Sequence, residues 1–374
     1  MNMKTMKAGQ RVFAAAFFAV LCGMWILWLL LGRFIDQENY ENRELAEMPK
    51  WTAETAEQFP RDLEAFFNDR LPFRNQMITL NSGVDYYVFG RSAHYRTTVG
   101  KDGWLFYSDS ADGNPIACYQ GTNLLPEEEL QAIAANCLRQ RDQLAARGCA
   151  FVIFIAPNKN RVYAEYMPDV FGPPAEIYRA LQIVNFLREN TDLRVVYPYD
   201  ELMAARSAVP ENLYYKTDTH WNLLGGYVGA RALLQELGIE MPPLSDPSLK
   251  ITQTRFRKGD LAKNLGLTAQ LMSSDPEYAI EGYDTHGAAL VAETDTSYQY
   301  QAEGADPRKL FVVRDSFVLS IMPYLSAQFN ESYFKHFMYY MYEDFEAFQP
   351  DILVYETVER FAANLKDFSI ERGK

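Results

Sequence analysis

Asp218 and His220 stand two residues apart in Tyr215-Lys216-Thr217-Asp218-Thr219-His220-Trp221-Asn222. In an extended segment, positions i and i+2 share a face. The carboxylate can then fix the tautomer of the imidazole and support its cation, which is the base half of a Ser-His-Asp arrangement. The same pair reads equally as a turn cap and a hydrogen-bonded core histidine. The nucleophile that would complete the set is Ser316, in Phe311-Val312-Val313-Arg314-Asp315-Ser316-Phe317, where an apolar strand turns into a helix. Free N–H groups and the dipole at a helix start can stabilise an oxyanion. Asp315 or Ser316 could instead simply cap that helix, and the two roles are compatible. Asn158 and Lys159, after another apolar strand, are candidates for an oxyanion donor or a sugar contact, with a solvated turn as the plainer reading. Arg314 and Trp221 join them as candidates for binding, although Trp221 reads first as core. His94, His286 and His336 lack an Asp-x-His context, and the cysteine spacing fits no zinc pattern, so no metal site or cofactor is expected.

Helices alternating with short apolar strands must position these residues. Pro126 to Arg147 predicts a helix, with acids in its first turn and Gly148 at its end. Ala150–Ala156 (AFVIFIA) predicts a strand buried on both faces. A helix from about Ala175 to Asn190 precedes a strand at Arg194–Tyr197, and Asn222 caps a helix reaching Leu237. Lys309–Val313 and Ile352–Tyr355 are further strands, with a helix from Phe317 between them. The pattern predicts an α/β domain on a mainly parallel sheet, with its site beyond the carboxyl ends of the strands. Upstream, Phe59–Arg70 and Asn75–Val88 predict two helices, and Gly100–Tyr107 a turn into a short strand. The interval from Pro242 to Gln301 is less regular and reads as an insertion or a substrate-facing lobe.

The 374 residues carry a net charge of −13; setting aside Lys4, Lys7 and Arg11, the only charges in the first 32 residues, leaves −16. That argues against a nucleic-acid partner. Val12–Leu31 is an uncharged apolar run of the roughly 20 residues that span a bilayer. Basic residues precede it, and Asp36, Glu38 and Glu41 follow Arg33, so the positive-inside rule puts the N-terminus in the cytoplasm and the rest outside. No small-x-small cleavage site follows Leu31, and Leu21 stands before Cys22 where lipoprotein processing needs a small residue, so an uncleaved signal anchor is expected. Cys118, Cys137 and Cys149 then lie outside the cytoplasm and allow at most one disulfide. The division expected is an anchor over 1–33, a helical juxtamembrane segment over 34–95 and a catalytic domain over 96–374, with 242–301 as the insertion or lobe.

Several short strings, in order, resemble the alginate O-acetyltransferase group (AlgX/AlgJ-like) and the related DHHW-type proteins. They are Glu41-Asn42-Arg43 with Pro49, Asp69-Arg70-Leu71-Pro72-Phe73-Arg74, Gly100-Lys101-Asp102-Gly103-Trp104-Leu105-Phe106, and Ala156-Pro157-Asn158-Lys159 with Val162-Tyr163. Thr217-Asp218-Thr219-His220-Trp221-Asn222 with Gly225-Gly226-Tyr227, then Gly259-Asp260-Leu261 and Arg314-Asp315-Ser316-Phe317, complete the series. The resemblance implies an SGNH-hydrolase-like three-layer α/β/α fold with a permuted site, in which Asp-x-His precedes the serine. Ser316 would be the nucleophile, His220 the base and Asp218 its orienting acid. It implies an O-acetyltransferase that passes acetyl through an acetyl-serine to a polysaccharide acceptor. A membrane-bound O-acyltransferase partner would supply the acetyl group, and the N-terminal helix would hold the chain at the membrane. The short stretch after Ser316 leaves polymer binding to the catalytic domain, and the acidic surface points to a neutral or amino-sugar polymer. An acetylesterase with the same triad, or a non-catalytic polysaccharide-binding subunit of an export complex, are the alternatives.

Overall fold

The computed structural model describes residues 8–35, 44–92 and 94–373. Glu41-Asn42-Arg43 and the flanking charges Lys4, Lys7, Asp36 and Glu38 fall outside them. The chain forms two compact units, one of Met1–His94 with Lys263–Leu267 and one of Tyr95–Ala262 with Thr268–Lys374.

The first unit holds helices Ala8–Leu31, Phe59–Asp69 and Arg74–Phe89. At about 1.5 Å per residue, the first is long enough, and it is apolar enough, to cross a membrane. Phe59–Asp69 carries Pro60 in its first turn, where a missing N–H costs nothing, and it buries no residue.

The second unit is built on eleven strands. They are β1 Thr97–Val99, β2 Leu105–Tyr107, β3 Ala150–Ala156, β4 Arg194–Val196, β5 Lys250–Phe256, β6 Pro276–Glu281, β7 Ala289–Thr294, β8 Ser297–Gln301, β9 Asp306–Arg314, β10 Phe329–His336 and β11 Ile352–Val358. Seven form the main sheet in the order β4-β3-β11-β9-β10-β8-β7. The first five run parallel, and β8 and β7 add antiparallel at one edge. The sheet is therefore mixed, and the interval read as irregular supplies two of its strands plus the separate β5–β6 ribbon. The β10 strand and the Tyr199–Ala208 helix, which the sequence reading passed over, complete the alternation.

Both faces of the parallel strands are buried, which explains their unbroken apolar runs. Val152 and Phe154 of β3, Leu310 and Val312 of β9, and Val354 of β11 pack under helices Leu223–Glu236 and Val318–Ser326. Ile153, Phe311, Val313 and Leu353 face the opposite way, under helices Glu127–Ala145 and Arg179–Asn190. The three cysteines of this unit are buried free thiols, and Cys137 and Cys149 take part in that second core.

The two helices on the first face approach closely because of one glycine. A Cβ on Gly226 would stand 2.1 Å from the Ser320 carbonyl oxygen. Gly226→Ala must push these helices apart, and it is expected to cost about 1–3 kcal/mol. A denaturation midpoint unchanged from wild type would contradict that expectation.

Candidate active site

The β9 strand ends at Arg314, and the chain turns through Asp315 and Ser316 into the Val318–Ser326 helix. Asp315 fixes that turn at three points. Its N–H donates to Glu356 Oε2 at 2.8 Å, its Oδ1 accepts the Phe317 N–H at 2.7 Å, and its Oδ2 accepts the Val358 N–H at 2.8 Å. Neither Asp315 nor Ser316 is the helix cap, which is Phe317 and makes no side-chain cap bond; Asp315 holds the turn ahead of it and leaves the Ser316 hydroxyl to serve another group. Among the described residues the Ser316 N–H donates to no carbonyl.

Asp218 and His220 lie on a loop of bends closed by a Tyr214–Trp221 bridge, where the sequence reading expected an extended segment. The reason is Lys159. Its buried ammonium donates to the carbonyls of Tyr215 at 3.1 Å, Lys216 at 3.1 Å and Asp218 at 2.6 Å, gathering the backbone around itself. Behind the loop, Asn222 caps the next helix through the N–H groups of Leu224 and Gly225.

The loop and the turn meet. His220 Nδ1 lies 2.7 Å from Asp218 Oδ1, and His220 Nε2 lies 2.8 Å from Ser316 Oγ. The network assigns the proton of the neutral ring to Nδ1, leaving Nε2 to accept from the serine. Trp221 is a core residue, and its indole N–H donates to the Phe317 carbonyl at 2.8 Å, tying the two halves together.

Residues 97–305 match the family described as an SGNH hydrolase-like domain, acetyltransferase AlgX, which is more than half the chain. This chain belongs to that family. A probable alginate O-acetylase AlgJ from Pseudomonas fluorescens is 25% identical over 374 residues, covering 95% of this chain and 88% of that protein. Its counterpart in Pseudomonas syringae pv. tomato is 27% identical over 267 residues, 66% of this chain but only 61% of that protein. Among solved structures, the O-acetyltransferase domain of Pseudomonas putida AlgJ is 19% identical, covering 72% of this chain and 99% of that one, with a TM-score of 0.47. A DHHW family protein from Eubacterium siraeum is 15% identical, with 74% and 99% covered and a TM-score of 0.49.

This AlgX-family chain recruits further residues that the sequence reading assigned no role. Asp218 Oδ2 accepts from the Asp260 N–H at 3.2 Å and faces Arg257 Nε at 3.4 Å. Asp260 Oδ1 accepts the Thr219 N–H at 2.7 Å, and its other oxygen lies 3.8 Å from His220 Nδ1. Asp275 binds the N–H of Thr217. The one local sign of this fold-back was Gly259, where a Cβ would sit 2.2 Å from the Thr217 carbonyl.

The other candidates are placed as follows. Lys159 is spent on the loop, and burial lowers its pKa to about 8 against the pull of Asp275, Asp260 and Asp218. Arg314 is buried behind the Ser316 turn, over the Tyr298 ring, where burial lowers its pKa. Asn158, at the end of β3, donates its N–H to Glu359 and leaves its side-chain nitrogen buried without a partner.

Burial disfavours the His220 imidazolium, but the hydrogen bond and charge of Asp218, with Asp260 behind it, outweigh that and hold its pKa above the ordinary histidine value. Burial also opposes ionisation of Asp218, yet His220 and Arg257 hold its carboxyl well below the usual range. With His220 as general base, the neutral ring is the working form, and activity is then expected to rise with pH through a value above about 6.5. Asp260→Asn removes one anion that favours the cation, and the rising limb should move to lower pH. A pH–rate profile identical to wild type would count against Asp260 acting on His220.

Asp218, His220 and Asp260 also offer ligand atoms within 4.8 Å of one another. Both ring nitrogens of His220 are already engaged, and a cation at Nδ1 would displace Asp218. Dialysis against a chelator should leave acetyl-ester turnover unchanged. A loss restored by added zinc would assign this cluster to a metal instead.

Proposed function

We propose that the protein is a membrane-anchored O-acetyltransferase that acetylates hydroxyls of a cell-surface or secreted polysaccharide. The hydrogen-bonded line from Asp218 through His220 to Ser316 carries the reading. Ser316 Oγ attacks the acetyl carbonyl of a donor while His220 Nε2 takes its proton. The tetrahedral oxyanion faces the Ser316 N–H, with the unpartnered Asn158 side-chain nitrogen as the second donor. Collapse expels the donor's leaving group, which takes the proton from His220, and leaves acetyl-serine. His220 then deprotonates a sugar hydroxyl, which attacks the ester, and the proton returns to Ser316. Asp218 stays ionised throughout and balances the imidazolium.

The Ala8–Leu31 helix would hold residues 34–95 as a juxtamembrane segment and residues 96–374 as the catalytic domain outside the cytoplasm, within reach of a membrane-bound O-acyltransferase as donor. The names of the AlgJ relatives support the acetylation of a polymer. A second reading, acetylesterase, is favoured by the partial exposure of His220 (19%), which water can reach. Supplying an acetyl ester with and without an oligosaccharide separates them. Acetyl recovered on the sugar establishes transfer, and hydrolysis that no acceptor diverts establishes the esterase.

A further inference from the structure

We infer that the outward face of the Arg74–Phe89 helix lies in the outer leaflet of the bilayer that holds the anchor. The inference rests on the membrane-anchored part of the proposed function and not on its chemistry.

At about 3.6 residues per turn, Met77, Leu80, Asn81, Val84, Tyr87 and Val88 fall on one face of this helix. All but Asn81 are apolar or aromatic, and those five are 42% to 68% exposed. The opposite face carries small and polar residues and points inward. Ser82 is buried, the Thr79 hydroxyl donates to the Gly266 carbonyl at 2.9 Å, and Gly83 stands against Leu267. A helix on a water-facing surface has the reverse order, apolar inward and polar outward. The outward face also carries no acid, in a chain of net charge −13. Asp85 stands beside that face, paired with Arg91 at 2.8 Å. Single exposed apolar side chains are ordinary, but a contiguous apolar face marks contact with something apolar.

The start of the helix says what that is. Phe73, the residue before its first turn, packs edge-on against Trp28 of the Ala8–Leu31 helix, with 5.6 Å between ring centroids. Trp28 stands about 5 Å from the outer end of the anchor, the depth at which tryptophan marks the boundary of hydrocarbon and headgroups. Met24, about 10 Å inside that end, shares a groove of 500 Å³ with Leu71, Pro72, Arg74, Met77 and Ile78. All these residues belong to the first unit. The helix therefore begins level with the outer part of the hydrocarbon, and Met77 of its outward face is already there. Arg74 suits that boundary, since its stem can lie along apolar surface while its head reaches the headgroups. A helix starting at this depth with an apolar face lies along the interface, that face about 5–10 Å into the acyl boundary. A second copy of the chain would cover the same face but would not account for its start at the anchor.

The test reads depth in phosphatidylcholine vesicles that contain only the full chain. A fluorophore is placed on one cysteine at a time. The sites are native Cys22 in the anchor and, in a Cys22→Ser chain, Leu80→Cys or Glu128→Cys, an exposed position of the second unit. Cys118, Cys137 and Cys149 are buried and stay unlabelled. The lipids carry a quenching nitroxide either near the headgroup or deep in the acyl chain. Cys22 should be quenched best by the deep nitroxide, and Glu128→Cys by neither. Leu80→Cys should be quenched about twofold or more strongly by the shallow nitroxide than by the deep one. Adding Met77→Asp and Val84→Asp should bring that quenching down to the Glu128→Cys level, since a carboxylate opposes entry into the hydrocarbon. A Leu80→Cys label that behaves like Glu128→Cys while Cys22 is quenched overturns the inference. Protection of that label from aqueous iodide would then assign the face to a second copy. An unquenched Cys22 is a separate result: it overturns the anchor and takes this inference with it.

Discussion

Ser316→Ala should lower kcat for acetyl-ester turnover by about 10³-fold or more, leaving KM for the ester little changed. The hydroxyl is the only atom of this residue that reaches His220, at 2.8 Å from Nε2. Its removal deletes the proposed attacking group while the turn stays fixed, because Asp315 holds that turn from its own backbone and side chain. The variant should therefore fold with a wild-type denaturation midpoint. Mass spectrometry of acid-quenched wild type should find one acetyl group on the peptide containing Ser316, and none in the variant. Wild-type turnover by Ser316→Ala would end the covalent reading and make polysaccharide binding the leading account.

Asp218→Asn should cost about 10⁴-fold in kcat, an effect on the same scale as that expected for Ser316→Ala, although it deletes no reacting atom. The carboxylate accepts from His220 Nδ1 and from the His220 N–H, and it is only 2% exposed. An amide there can turn its NH₂ toward Nδ1 and reverse the tautomer, so that Nε2 carries a proton where it must accept one. The loss should appear in kcat at every pH, because the variant also lacks the charge that raises the His220 pKa. A variant that recovers wild-type rates at high pH would show that Asp218 sets only the charge of the ring and not its orientation.

The parts of this fold that were legible in the sequence are those where burial on both sides writes an unbroken message. The run Ala150–Ala156 is a strand over the same residues in the structure, and the helix behind Asn222 begins where its cap residue implied. β10 was not legible. Asn330, Glu331, Ser332 and Lys335 interrupt its apolar residues, and its identity comes from pairing with β9 and β8. The β7–β8 hairpin is similar, since every residue of β7 is exposed and only its neighbour makes it a strand. In the site, local spacing drew attention to Asp218, His220 and Ser316. Arg257, Asp260 and Asp275 reach the loop by a fold-back of some forty residues or more, which no short-range periodicity encodes. Lys159 shows the same limit from the other side. A lysine after a strand reads as available to a ligand, and only the chain some sixty residues later reveals that its ammonium is enclosed by carbonyls.

The tie from the Trp221 indole to the Phe317 carbonyl has a kinetic meaning. The two halves of the site stand on helices that touch through Gly226 and Ser320, beneath which the sheet is continuous core. An opening at Ser316 that parts the two halves therefore has to break this helix contact and the indole hydrogen bond together, so the room to admit a bulky polymer is expected to come from elements outside this pair.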